Sequence, residues 1–123
     1  MDYRSQFNDT LIELVNDLIV VFPNDTDFRM YKLAIQGVMI TDNTVIHKVF
    51  REQVCRVYGE KILARDEAFF LNNNYEEMKQ EFSDADGLIK KLKECWTRLT
   101  EDQRNVVWKY FRVLVLLDGK IQD

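Results

Sequence analysis

The single histidine of this 123-residue chain, His47, and its two cysteines, Cys55 and Cys95, are the side chains with the widest chemical reach. A thiol becomes a nucleophile when an imidazole lies within hydrogen-bonding distance. His47 and Cys55 stand two turns apart on one predicted helix, about 12 Å along its axis, so local sequence excludes a direct dyad. His47 therefore reads as a boundary or surface residue beside Phe50 and Tyr58. Neither cysteine has a neighbour at metal or redox spacing, and both read as free thiols.

Carboxylates cluster at Asp66, Glu67, Glu76, Glu77 and Glu81. A hard cation needs more than this. Asp84-Ala85-Asp86-Gly87 lacks the remaining ligands of a calcium loop, and no Glu-x-x-His pair supplies a di-iron site. Gly87 and Gly119 stand alone, so there is no glycine-rich phosphate cradle, and Ser5 and Ser83 sit in no nucleophile elbow. The expectation is a non-enzymatic protein with no catalytic residue, no metal and no cofactor.

Basic side chains offer the other chemistry. Lys48, Arg51 and Arg56 on the third predicted helix, with Lys109 and Arg112 on the last, could contact phosphates, which makes nucleic-acid binding the alternative function. A formal charge of -4 and a pI near 5.1 work against it, as does the lack of any helix-turn-helix, zinc-finger or RNP pattern. Charge is segmented: residues 1–43 carry -4, 44–65 carry +3, 66–88 carry -6 and 89–123 carry +3. Alternating blocks predict helix faces that complement one another when packed.

These residues ride on a predicted all-α frame. One proline and four glycines are too few for the turns of a β-rich domain, and the length suits a single domain, 1–123, folded as a bundle of about five to six helices. Phe7, Leu11, Leu14, Val15, Leu18 and Phe22 form a stripe over a first helix from Ser5 to Val21, ended by Pro23. A second helix covers Asp27 to Ile40, with Phe28, Tyr31, Ala34, Ile35, Val38 and Met39 inward and Gly37 inviting a close helix contact. A third runs from Thr44 to about Ala64. Two short helices are expected over Asp66 to Phe82, then a segment capped by Ser83-Asp84 carrying Ile89, Leu92, Trp96 and Leu99.

Thr100 and Gln103 form a capping box for the final helix, and Gly119 suits a left-handed stop. That helix is apolar almost all round. Val107, Tyr110, Leu114, Leu117 and Ile121 make its predicted seam, while Trp108, Phe111, Val115 and Leu116 form a second face. Large apolar surfaces left in water usually mark interfaces. The favoured function is therefore a protein-interaction or structural module whose partner, another protein or a second copy, meets Trp108, Phe111, Val115 and Leu116, with Trp108 and Phe111 as exposed anchors.

The N-terminus shows no basic segment followed by an apolar run, which predicts an intracellular protein. The longest apolar runs, Leu18 to Phe22 and Val113 to Leu117, have five residues each, against about 18–20 needed to span a bilayer, so no membrane span is expected.

Phe22-Pro23-Asn24-Asp25, Asp66-Glu67-Ala68-Phe69-Phe70-Leu71, Trp96-Thr97-Arg98-Leu99 and Trp108-Lys109-Tyr110-Phe111 follow one another along most of the chain. In that order they resemble uncharacterised small helical proteins encoded by large DNA viruses of algae and protists. The resemblance implies a viral protein acting in the host cytoplasm or the virion, and it brings no catalytic or binding residue with it.

Overall fold

A computed structural model describes residues 2–65 and 91–121, and among these there is helix and turn but no strand. The molecule is an all-α bundle. Helix α1 spans Tyr3–Val21, α2 Thr26–Thr41, α3 Val45–Phe50 and α4 Arg56–Leu63, with a π-helical turn, Arg51–Cys55, joining α3 to α4 without a break. Residues 91–95 are helical and lead through a 3-10 turn, Trp96–Arg98, into α5, Glu101–Lys120. The two short helices expected between Asp66 and Phe82, the Ser83-Asp84 cap and the acidic cluster lie outside the described residues.

Local chemistry sets the helix ends. Asp2 Oδ1 accepts from the amides of Arg4 and Ser5 at 3.0 and 3.2 Å, which starts α1 two residues earlier than its apolar stripe suggests. Pro23, which disfavours helical geometry in the residue before it, follows the C-cap Phe22. Asp25 caps α2 through the Asp27 amide at 3.0 Å. The capping box of α5 is formed as predicted: Gln103 N–H donates to Thr100 Oγ1 at 3.1 Å, and Thr100 N–H donates to Gln103 Oε1 at 2.8 Å.

Gly119 does not adopt the left-handed conformation. No glycine among the described residues has positive φ, and α5 continues through it to a C-cap at Ile121. The left-handed position falls instead at Arg65, φ 54°, just past α4.

α5 is the spine. It lies along α1 and also touches α4 and the π-helical turn, while α2 packs on α1 and α3. Phe7, Leu11, Leu14, Val15 and Leu18 of α1 meet Val107, Phe111, Leu114 and Leu117 of α5 in one buried cluster, joined by Phe28 and Ile35 of α2. Burying each such side chain contributes about 1.5–3 kcal/mol before entropy is counted. Tyr110, predicted in the seam, stands half-buried and donates its hydroxyl to Asp17 Oδ2 at 2.5 Å. Burial first, and that bond second, push its phenol up to about 12. Phe111 takes the core position.

The alternating charge blocks do meet. Lys91 Nζ lies 2.8 Å from Asp25 and 2.9 Å from Asp27, tying the basic segment after residue 88 to the start of α2.

Candidate functional site

Two regions carry more than ordinary packing. The first is a polar cluster beneath the C-terminus of α5. His47, Arg51 and Cys55 follow one another at four-residue intervals through α3 and the π-helical turn, and the first two bond to Asp118 near the end of α5. His47 Nε2 lies 2.7 Å from Asp118 Oδ1, so Nε2 carries the hydrogen that the carboxylate accepts. Arg51 Nε donates to the same oxygen at 2.7 Å. Its Nη2 donates to the carbonyls of Asp118 at 3.1 Å and Ile121 at 2.8 Å.

His47 is fully buried, with its ring edge-on to Phe7 at 5.0 Å between centroids. The expectation of a boundary or surface histidine is thus overturned. α1 covers the ring, because Phe7 and Asn8 both turn inward on that side. Its Nδ1 has no hydrogen-bond partner among the described residues.

The geometry identifies what this cluster does. The last carbonyls of a helix lack intrahelical donors and carry its negative dipole end, and a guanidinium fits both needs. Arg51 caps α5 from a neighbouring helix. Burial, reinforced by the Asp118 charge, pushes the Cys55 thiol well above its usual range, which disfavours the thiolate that a nucleophile needs. Cys95 is fully buried and accepts from Arg98 Nη2 at 2.9 Å. Both cysteines are free, and among the described residues no group of His, Cys, Asp or Glu is arranged to hold a metal ion.

The second region is apolar and lies on α2. Met30, Leu33 and Ile40 are 62%, 69% and 87% exposed. With Gly37 between them they follow three-, four- and three-residue steps, which places them on one line along the outside of the helix. A Cβ added at Gly37 would meet nothing within 4 Å among the described residues, so the expected close helix contact is not made by them and the line has a notch instead. Beside it an open groove of about 650 Å³ runs between α1 and α2, lined by Asn8, Asp9, Ile12, Glu13, Gln36, Met39 and Ile40.

Residues expected to form the contact on α5 are placed otherwise. Trp108 and Phe111 are 5% and 3% exposed, so neither is an exposed anchor. Trp108 packs edge-on against Trp96 at 5.6 Å, with the Arg65 guanidinium 5.9 Å from its ring centre, and Phe111 belongs to the central cluster. Val115 is half-buried and marks the close approach of α5 to α4 at Gly59, where an added Cβ would stand 3.8 Å from Val115 Cγ1. Leu116 alone of the four is exposed.

The phosphate-contact set changes too. Arg51 spends its donors inside the protein, which removes it from that set. Lys48, Arg56, Lys109 and Arg112 are exposed, Arg56 in an ion pair with Glu52 at 2.8 Å.

No helix among the described residues is long and apolar enough to cross a membrane. No protein-family model, curated protein or solved structure matches the chain.

Proposed function

We propose that this protein is a non-enzymatic interaction module that docks a protein partner on the outer face of α2. The observation that carries the reading is the line of Met30, Leu33 and Ile40, each more than three-fifths exposed on a helix whose other side holds the buried Phe28 and Ile35. Scattered apolar residues are normal on a surface, but a continuous helical line of them is the form in which helix-in-groove and helix-to-helix contacts are read. The polar cluster supports the same reading from the other side. Its histidine is sealed and its thiol is held protonated, so it serves as a strut for the bundle.

The resemblance of the sequence to helical proteins of large DNA viruses supports assigning this module to an infected cell or to the virion.

Binding of an environment-sensitive apolar dye at sub-micromolar protein concentration tests whether the face is free. Wild type should enhance the dye signal and Leu33→Glu should abolish most of that enhancement, whereas Leu116→Glu on α5 should not. Equal signals from wild type and Leu33→Glu would move the contact surface away from α2.

A further inference from the structure

Resting on that reading, we infer that the occupant of the α2 face is a second copy of the same chain, packed antiparallel about a two-fold axis at the level of Ile35. Isologous pairing requires a surface that complements itself, since each patch must supply both knob and hole. The α2 line meets that condition. An axis at the level of Ile35 sets Leu33 of one copy opposite Gly37 of the other, filling the notch that none of the described residues occupies. The same axis sets Met30 opposite Ile40, so the four positions are satisfied as two reciprocal pairs. A shift of one turn in either direction would set Leu33 against another bulky side chain, Ile40 in one case and the second Leu33 in the other, and would break the two reciprocal pairs.

Charge fits the same register. α1 runs antiparallel beside α2: Asn8 Nδ2 donates to the Asn43 carbonyl at 3.0 Å at one end, and Phe22 stacks on Phe28 at 5.8 Å at the other. Asp9 therefore stands level with Thr41, and Glu13 level with the turn after Gly37. Under the two-fold those levels face Arg29 and Lys32 of the second copy, on the flank of α2 that borders the groove. Asp9 and Arg29 are both exposed, and neither has an ion-pair partner among the described residues. Two unspent acids meet two bases on each side of the axis. Such rim charges steer and set register more than they add affinity.

A contact built on one helix face per copy belongs to the small, weak class of interfaces, below about 1,200 Å². Self-association should accordingly appear between about 1 µM and 0.5 mM. Sedimentation equilibrium of the intact chain across that range should show a monomer–dimer equilibrium. Leu33→Glu should raise its dissociation constant at least tenfold. Arg29→Glu should raise it about threefold, and adding Asp9→Arg to that variant should restore it. Mixing Leu33→Cys with Gly37→Cys under mild oxidation should yield a disulfide-linked dimer faster than either variant alone.

A strictly monomeric chain at 0.5 mM overturns the second copy as occupant, and the sub-micromolar dye result then decides separately whether the α2 face docks anything. A dimer unaffected by Leu33→Glu, or cross-linking no faster in the mixture, overturns the antiparallel register. Circular dichroism and thermal melting of each variant identify any change that comes from unfolding.

Discussion

α5 and α2 are both rich in apolar residues, yet they use them in opposite ways. α5 is oily nearly all round because it touches α1, α4 and the π-helical turn. What remains outside, Val106, Val113 and Leu116 at 42–46% exposure, is broken up by exposed Lys109 and Arg112. The apolar surplus of α2, Met30, Leu33 and Ile40, is both more exposed and in line. Hydrophobic content therefore locates the buried helix, while hydrophobic content on a helix packed from one side locates the free face.

The contrast is most easily broken at Phe111. Phe111→Ala should cost about 3–5 kcal/mol in urea unfolding, as removal of a buried aromatic does, and Phe111→Glu should leave no folded chain. A folded, stable Phe111→Glu protein would return the contact surface to α5.

Asp118→Ala should come next, at about 2–3 kcal/mol, because it strands the buried His47 and leaves Arg51 without its carboxylate. Asp118→Asn, which keeps one acceptor, should cost less by the same measurement.

Lys91→Met tests how firmly the start of α2 is held, with an expected loss of about 1 kcal/mol at pH 7. The hydrogen bond from Lys91, above all, holds the Asp25 carboxyl below its ordinary value. A carboxyl with a lowered folded pKa contributes stability that is complete above its unfolded value and fades as pH falls through the folded one. The gap between wild type and Lys91→Met should thus be full at pH 5 to 7 and close below pH 4; a gap independent of pH would mean that lost packing is the cause.

Smallest of all should be Leu33→Glu, within about 0.5 kcal/mol by chemical denaturation at sub-micromolar concentration, since an exposed side chain has little to lose. A large loss there would make α2 part of the core.

The frame was legible wherever its causes are local. The Thr100–Gln103 box, Pro23 and the α1 stripe each act within a few residues of themselves, and each is found where the sequence puts it. The Asp118 cluster depends on contacts spanning 67 to 71 positions, and no periodicity reaches that far. One signal was present: His47, Arg51 and Cys55 lie at four-residue spacing, enough to align three polar groups on one face even though the first and last cannot touch each other. The free face was visible as residues but not as a face. The sequence stripe already put Phe28 and Ile35 inward, where they are buried, but that Met30, Leu33 and Ile40 on the other side stay exposed depends on which helices lie alongside.

The π-helical turn at Arg51–Cys55 gives this stretch of chain a property that no substitution shares. Its wider winding advances the helix out of phase, so that α3 can present His47 to Asp118 while α4 presents Gly59 to Val115. Winding the same residues as regular α-helix would rotate one half against the other by about 100°, so that only one of them stayed aimed. Removing one residue from the turn offsets that rotation, so a shortened segment wound as α-helix should keep both halves aimed, while an inserted residue should not.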